Sequence, residues 1–266
     1  MQIRINILLL MLIISSFTGS ATAASDREKE QRWSEQIVDG LLVGEAVELK
    51  AGETTFLGIF TEASDGPSDR AVILLHGIGV HPDWPEVINP LRSTLPDNGW
   101  STLSVQMPIL ANDAAVADYA PLFDEVAPRV DASIKYLQEK GHKTIVLLGH
   151  SLGASMGATY LAGGNKQQIK GLVAIGMSVI ENNDKMNSAL ALQTIRIPVL
   201  DIYGSRDLET VLDSVKLRAR SARMAKNPDY QQIQIEGADH FFVGVENSLH
   251  RRVYGWLKSR FDQPPR

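Results

Sequence analysis

Cysteine is absent from the 266-residue chain, which excludes disulfide bonds, thiolate metal sites and a cysteine nucleophile. Basic residues are also few: 26 Lys and Arg stand against 31 Asp and Glu, a formal net charge of −5, and they form no long run. Contacts to phosphate dominate nucleic-acid affinity, so an acidic chain without a basic tract is not expected to bind nucleic acid. The composition is that of an ordinary globular protein.

Only the N-terminus carries a long unbroken apolar run. Arg4 precedes the apolar stretch Ile7–Ile14, and Ala21-Thr22-Ala23 has the small-x-small pattern of a cleavage site. These features predict a signal peptide over residues 1–23, cleaved near Ala23, and a periplasmic or secreted mature protein with no stable membrane insertion. An uncleaved anchor is the alternative, but a spanning helix needs about 20 apolar residues, and this run breaks at Ser15-Ser16.

Three segments are predicted: the signal peptide, an N-terminal arm over residues 24–44, and one α/β domain over residues 45–266. The charged stretch 25–34 is expected to be frayed. Two apolar runs at 47–49 and 54–60 predict a β-hairpin. The arm and hairpin precede a series of alternating strands and helices.

Near-continuous apolar strands alternate with helical patterns along the rest of the chain, which predicts a mostly parallel sheet with helices on both faces. The predicted strands lie at 71–75, 102–105, 144–148, 171–177, 198–203 and 232–235. Asp83 is the expected cap of the first predicted helix, which has Pro85 in its first turn and ends near Asn98-Gly99. A second helix is predicted from the apolar spacing of residues 126–137, and two more over 208–226 and 246–261. The segment 107–120 is too irregular to assign. Only about 20 residues separate Met177 from Pro198, too few for a large lid domain.

The segment Gly149-His150-Ser151-Leu152-Gly153 matches the pattern G-x-S-x-G. It follows a predicted buried strand directly and runs into a helix start rich in small residues. That strand–turn–helix context is typical of a nucleophile elbow, in which a tight turn exposes a serine above the sheet. The sequence therefore predicts Ser151 as a nucleophile.

A serine nucleophile needs a base, and the base needs an acid that orients it. His240 and Asp207 each follow a predicted strand, so both are expected at the carboxyl edge of the sheet beside Ser151. The order Ser, Asp, His along the chain is the one this type of elbow requires. Asp184, which follows the preceding strand, is the alternative acid.

An oxyanion hole requires two N–H donors directed at the developing charge. The N–H of Leu152, directly after the nucleophile, and that of Ile78, in the glycine-containing loop His76-Gly77-Ile78-Gly79, are the expected donors. Four further side chains are candidates to line a substrate pocket: His76, His81, Trp84 and His150. For His76, bracing of the loop is favoured over a catalytic role, and for His150, local packing is favoured over action as the base.

Four segments resemble the successive signature segments of the α/β-hydrolase superfamily: AVILLHGIG, TIVLLGHSLGASMG, VLDIYGSRD and GADHFF. The stretch from His76 to Pro108 is similar to a family of exported proteobacterial α/β-hydrolase-like proteins without an assigned function. The resemblance implies an α/β-hydrolase fold and a serine hydrolase with the triad described above. It implies no particular substrate.

The favoured function is a carboxylic ester hydrolase that acts on a small-molecule ester through an acyl-enzyme on Ser151. A peptidase or thioesterase with the same triad is an alternative, as is a non-catalytic envelope binding protein on a hydrolase scaffold. No metal and no cofactor are expected, because the histidines lack H-x-x-x-H spacing and no glycine-rich phosphate loop is present. The sequence does not indicate an oligomeric state.

Overall fold

The computed structural model describes residues 24–66, 68–164 and 166–262. The predicted signal peptide, residues 1–23, lies outside the described residues. Eight strands form one sheet: β1 (Glu45–Ala51), β2 (Thr54–Thr61), β3 (Arg70–Leu75), β4 (Ser101–Val105), β5 (Thr144–His150), β6 (Ile169–Ile175), β7 (Val199–Gly204) and β8 (Tyr230–Ile235). Seven α-helices lie in the same ranges: α1 (Arg27–Gly40), α2 (Ile88–Thr94), α3 (Val126–Glu139), α4 (Leu152–Ala162), α5 (Ser188–Leu192), α6 (Glu209–Met224) and α7 (Glu246–Phe261).

The sheet has the strand order β1-β2-β4-β3-β5-β6-β7-β8. The predicted hairpin, β1 and β2, is antiparallel and joins β4 in antiparallel pairing, whereas all pairs from β4 to β8 are parallel. The predicted fold class, a mostly parallel sheet with an N-terminal hairpin and helices on both faces, is confirmed.

Strand β3 shows how the apolar runs form two cores. Every residue from Ala71 to Leu75 is fully buried, because the strand is covered on both faces. Ile73 and Leu75 pack into a core with residues of α3 and α4. Val72 and Leu74 point to the other face, into a core with residues of α2 and α7. Because side chains alternate along a strand, one continuous run serves both layers.

The expected fraying of residues 25–34 is wrong. Helix α1 begins at Arg27, and the Asp26 side chain caps it by accepting the Lys29 N–H at 2.9 Å. Lys29 itself is buried, and its ammonium donates to Leu110 O at 2.8 Å. Ile37 packs with Leu57 of β2 in a small third core. Lys29, Glu30 and Arg27 have partners elsewhere in the fold, so the segment is docked.

The predicted start of a helix at Asp83 is also wrong. Helix α2 begins at Ile88, and the Asp83 carboxylate instead accepts hydrogen bonds from Asn89 and from the buried guanidinium of Arg92. An ion pair with a buried arginine outcompetes the capping role that the sequence suggested. Helix α2 ends at Thr94, before the predicted end near Asn98-Gly99, and a separate 3-10 turn at Pro96–Asn98 continues to Gly99, which has a φ of 78°.

Between β6 and β7 lies only the five-residue helix α5, so the prediction of no large lid domain holds. The unassigned segment 107–120 runs into a 3-10 helix over Val116–Glu125. Among the helices in the described ranges, none has both the length and the apolar character needed to cross a membrane.

Candidate active site

Ser151 occupies a strained turn between β5 and α4. Its backbone has φ 55° and ψ −123°, a combination that L-residues adopt rarely and usually at functional positions. The flanking glycines permit the turn through close packing: a Cβ on Gly153 would lie 2.3 Å from the Leu75 carbonyl oxygen, and one on Gly149 would lie 2.5 Å from the Ala154 backbone. The strand–turn–helix context predicted for the motif is therefore present.

Ser151, His240 and Asp207 meet at the carboxyl edge of the parallel strands. His240 Nε2 lies 3.0 Å from Ser151 Oγ, and His240 Nδ1 lies 2.6 Å from Asp207 Oδ1. Because the carboxylate only accepts, Nδ1 carries the proton and Nε2 is free to accept from the hydroxyl. His240 and Asp207 are buried, whereas Ser151 is partly exposed. The three predicted residues are thus within hydrogen-bonding reach of one another.

Asp207 is held as a carboxylate by its surroundings. Burial by itself would raise the pKa of Asp207, but the hydrogen bond from His240 and those from two backbone N–H groups lower the pKa below its usual value. The N–H donors are Gly204, at 3.1 Å, and Leu208, at 2.8 Å. The alternative acid, Asp184, is exposed on the segment between β6 and α5. The geometry favours Asp207 as the partner of His240.

Two glycines that the sequence reasoning did not single out shape this site. Gly176, directly after β6, has a φ of 58°, and a Cβ there would lie 2.9 Å from Cε1 of the His240 ring. Gly204, at the end of β7, would place a Cβ 2.4 Å from the Ala238 carbonyl oxygen. The sequence signal that could have identified them is a glycine at the carboxyl end of a predicted strand, at the sheet edge where the elbow lies. Only the structure shows that His240 and its loop fill that space.

The predicted oxyanion donors flank Ser151. Leu152 is the first residue of α4, so its N–H has no intrahelical acceptor. The loop with Ile78 approaches from β3, and a Cβ on Gly77 would lie 3.3 Å from Ser151 Cβ. Within the described residues, neither the Leu152 N–H nor the Ile78 N–H has a hydrogen-bond acceptor. Two unpaired donors near the serine suit a developing oxyanion.

Of the four candidate pocket residues, two are removed from contact with a substrate by burial. His76 is 1% exposed and His150 is 2% exposed, so neither forms part of a binding surface. His150 Nε2 donates to the His240 carbonyl oxygen at 3.0 Å, and burial lowers the pKa of His150 to about 4. The favoured sequence interpretation, local packing of His150, agrees with these contacts.

His81 and Trp84 are partly exposed and lie against each other, with ring centroids 5.3 Å apart. His81 also contacts Trp33 of α1, at 4.8 Å between centroids. A place for these two side chains in a substrate pocket stays a prediction.

Exposed apolar side chains adjoin the triad. Leu208 follows Asp207 and is 51% exposed, while Phe241 and Val243 follow His240 and are 42% and 58% exposed. The Phe241 ring lies edge-on to the His240 ring, with centroids 5.3 Å apart. A separate groove of about 690 Å³ lies between α1 and the β1–β2 hairpin, lined by residues such as Arg27 and Phe56. It does not include the triad residues.

No group of three His, Asp or Glu side chains in the described ranges converges in the manner of metal ligands. A hydroxyl that donates to a neutral imidazole, itself oriented by a carboxylate, is the arrangement that activates serine for attack on a carbonyl.

Solved structures with the same fold include several esterases. Est1E from Butyrivibrio proteoclasticus is 14% identical, with a TM-score of 0.64, covering 82% of this chain and 99% of that one. The Pyrococcus furiosus esterase Pf2001 is 18% identical, with a TM-score of 0.67, covering 81% and 92%. An alpha-beta serine hydrolase homologue from Coxiella burnetii is 18% identical, with a TM-score of 0.64, covering 82% and 99%. At such identities the likeness shows a shared hydrolase fold.

No curated protein matches the sequence at a significant level. One family model does match, over residues 7–128 and 120–259, and its description is "Protein of unknown function (DUF3530)". The chain therefore belongs to the DUF3530 family, and it has the α/β-hydrolase fold.

Proposed function

We propose that this protein is a serine hydrolase that cleaves carboxylic esters through an acyl-enzyme on Ser151. The observation that carries the proposal is the continuous hydrogen-bonded series from Ser151 Oγ through His240 to Asp207, with distances of 3.0 and 2.6 Å. The strained backbone of Ser151 supports it, because such strain persists where function requires the geometry. A binding scaffold has no physical need for these contacts.

In the first half of the proposed reaction, Ser151 Oγ attacks the ester carbonyl carbon as His240 Nε2 takes the hydroxyl proton. Asp207 stabilises the resulting imidazolium and keeps the ring oriented. The N–H groups of Leu152 and Ile78 donate to the oxyanion of the tetrahedral intermediate. When the intermediate collapses, the bond to the leaving oxygen breaks, and His240 returns the proton to the departing alcohol.

In the second half, a water molecule attacks the acyl-enzyme. His240 takes a proton from the water, and a second tetrahedral intermediate forms at the same oxyanion position. Its collapse breaks the bond between Ser151 Oγ and the acyl carbon, and the proton returns to the serine. The products are a carboxylic acid and an alcohol, and the triad is restored.

The proposed substrate is a small-molecule ester with an apolar group near the triad. The exposed side chains of Leu208, Phe241 and Val243 offer contacts to such a group, and burying apolar area contributes about 25 cal/mol per Å². Among the structural neighbours, Est1E has been solved with ferulic acid bound. That ligand pairs an aromatic group with a carboxyl group, the acid half of an ester.

The decisive experiment is labelling by a fluorophosphonate probe, together with hydrolysis of p-nitrophenyl esters. The wild type is expected to be labelled and to turn over ester, and Ser151→Ala and His240→Ala are expected to do neither. Ser155→Ala is the matched control, because Ser155 lies one turn further along α4, is buried, and its hydroxyl contacts only the Ser178 carbonyl, at 3.4 Å. It should retain labelling and turnover.

A well-folded wild type that is neither labelled nor active would contradict the proposal and favour a non-catalytic binding protein. Labelling with a higher kcat/KM on an amide or a thioester than on the matched oxygen ester would instead favour the peptidase or thioesterase. Comparing the three bond types with one acyl group separates these outcomes.

We also propose that the protein resides in the periplasm or outside the cell after removal of residues 1–23. The support is the sequence pattern of Arg4, the apolar stretch and Ala21-Thr22-Ala23. N-terminal sequencing of the protein recovered from the periplasmic fraction should begin at Ala24. A protein that keeps residue 1 and sediments with membranes would support the uncleaved anchor.

A further inference from the structure

We propose that helix α1 positions the oxyanion loop through a buried series of hydrogen bonds, in which Glu30, Arg129, Gln106 and His76 are positioning residues. The inference rests on the proposed function, since it assigns these residues to the geometry of the Ile78 N–H donor. Through this network the N-terminal arm, which the sequence predicts as a segment separate from the α/β domain, contributes to the geometry of the site. We call this series the loop-bracing network.

The inner end of the network is His76, which follows β3 and begins the oxyanion loop. His76 Nδ1 donates to the Gly77 carbonyl oxygen at 2.8 Å, and His76 Nε2 accepts the Met107 N–H at 2.9 Å. The two contacts fix one neutral tautomer, because a carbonyl only accepts and a backbone N–H only donates. The ring therefore holds the peptide group between Gly77 and Ile78, the group that supplies the Ile78 N–H.

The middle of the network lies in the segment directly after β4. The Gln106 side-chain amide donates to His76 Nε2 at 3.0 Å and to the Met107 carbonyl oxygen at 2.7 Å. Arg129, on α3, donates from Nη1 to the Gln106 carbonyl oxygen at 2.8 Å. Gln106 and Arg129 are each 1% exposed. The position of Gln106 thus depends on a buried guanidinium.

The outer end of the network is α1. Arg129 Nη2 pairs with Glu30 Oε1 at 3.0 Å, and Glu30 is 6% exposed. Arg129 also contacts Glu125, which in turn accepts both the backbone N–H and the hydroxyl of Ser25. A buried cation is held where its carboxylates lie, so without Glu30 only Glu125, at 3.3 Å, holds Arg129, and we expect the guanidinium to shift toward it. The docked N-terminal segment therefore sets the place of Arg129.

The expected effect is selective for the transition state. A substrate carbonyl gains little from an oxyanion donor before attack, whereas the tetrahedral oxyanion depends on it. A small displacement of the Ile78 N–H should therefore lower kcat and leave KM almost unchanged. The Ser151–His240–Asp207 series does not share these bonds, so the pH profile should keep its midpoint.

The test compares Glu30→Ala with Glu30→Gln and with Asp201→Asn. Glu30→Ala should lower kcat on a p-nitrophenyl ester by about tenfold, with KM within about twofold, because loss of a full oxyanion donor costs about 100-fold or more. Glu30→Gln keeps an acceptor for Arg129 and should recover most of the loss. Asp201→Asn disturbs a comparably buried arginine–carboxylate pair, with Arg218, that has no bond to the loop. It should lower Tm and leave kcat unchanged.

Coupling is tested by combining Glu30→Ala with Gln106→Met. If both act through the same peptide group, the double variant should lose little more kcat than the stronger single variant. Losses that simply multiply would overturn the proposal. A kcat loss in Asp201→Asn equal to that in Glu30→Ala would also overturn it, since general destabilisation would then explain both.

A second readout does not depend on activity. Hydrogen exchange of the Met107 amide, whose N–H donates to His76 Nε2 at 2.9 Å, should become faster in Glu30→Ala and stay unchanged in Asp201→Asn. If the wild type hydrolyses nothing but this difference appears, the proposed function fails and the bracing role stands. If ester hydrolysis is present but neither Met107 exchange nor kcat changes in Glu30→Ala, the bracing role alone fails.

Discussion

Asp201 and Asp207 are both buried and both belong to β7 or the turn after it, yet their partners differ in kind. Asp201 is bound by the guanidinium of Arg218, at 2.8 Å, and by the hydroxyl of Tyr230 and the amide of Gln232. Asp207 has a histidine and two backbone N–H groups. A permanent cation holds the first carboxylate, whereas the second faces a ring that can gain and lose a proton.

Because their partners differ, we expect the two carboxylates to have different roles. Arg218 and Asp201 are both fully buried, and their bonds close within β7, β8 and α6. The bonds of Asp207 lead through His240 to the partly exposed Ser151. Burial alone therefore does not separate a structural carboxylate from a functional one. The two kinds of carboxylate are distinguished by the chemical type of the partner and by the residue at which the series of hydrogen bonds ends.

The largest expected effect comes from Asp207→Asn. An amide can hold the imidazole in the wrong tautomer and cannot stabilise the imidazolium, so kcat should fall by about 10⁴-fold. That loss corresponds to about 5.5 kcal/mol in the barrier. Steady-state hydrolysis of a p-nitrophenyl ester measures it. Asp184→Asn is the control for the alternative acid and should retain full activity; if it lost activity and Asp207→Asn did not, the assignment would be reversed.

Asp201→Asn should affect stability instead. It leaves the fully buried Arg218 without its charge partner, and breaking such a pair costs about 3–5 kcal/mol. Urea unfolding monitored by circular dichroism gives the loss, and activity is measured where the variant is still folded. A fall in kcat comparable to that of Asp207→Asn would remove the distinction between the two aspartates.

Gly176→Ala should affect both properties, to a smaller extent. The positive φ costs an L-residue about 1–2 kcal/mol, and the new Cβ would lie 2.9 Å from the His240 ring. We expect lower stability by about 2 kcal/mol and a reduced kcat, since the ring must shift from Ser151. The control is Gly255→Ala, on the exposed side of α7 with open space around it, which should stabilise by about 0.5–1 kcal/mol. An unchanged kcat in Gly176→Ala would show that His240 tolerates displacement.

The smallest expected effect is a dependence of stability on pH, which the buried side chains of His150 and His76 cause. Burial lowers the pKa of His150 to about 4 and that of His76 to about 3, from a usual value near 6.5. The unfolded chain then binds protons that the folded chain does not, so stability is lost as the pH falls below about 6.5. Each histidine should cost about 1 kcal/mol between pH 7 and pH 5.5.

Urea unfolding at pH 7.0 and 5.5 checks this expectation. His150→Gln should lose its share of the pH dependence, whereas Asp201→Asn should keep the wild-type dependence, because Arg218 does not titrate in this range. Equal stability of the wild type at the two pH values would mean that neither histidine is kept neutral by burial.

Much of the fold was predictable because local rules agreed with the tertiary structure. Helices α6 and α7 lie within one or two residues of their predicted bounds, and the buried strands coincide with apolar runs. The start of α2 was not predictable in this way. Asp83 has the local signature of a cap, but a buried arginine nine residues later binds its carboxylate. Helix α1 was missed for a similar reason, since the partners of its charges lie far along the chain.

For the candidate site too, some features could be predicted from the sequence and others could not. The identities of Ser151, Asp207 and His240 followed from the sequence, because a motif, a strand end and the chain order each restrict the choice. The structure adds the contacts that support Asp207 over the exposed Asp184, and the burial of His76 and His150 removes them from the pocket. Burial and hydrogen-bond partners depend on which segments meet.

The amino-acid sequence was sufficient to predict the α/β architecture, the position of the elbow and the residue types near it, because hydrophobic periodicity and turn chemistry are local properties. Three contacts could be found only in the folded chain. Gly176 makes room for His240, and Arg218 neutralises Asp201. Glu30 of the N-terminal helix is linked through Arg129 and Gln106 to the loop beside Ser151. These contacts join residues many positions apart, and their energies come from burial and charge pairing, which exist only once the chain has folded.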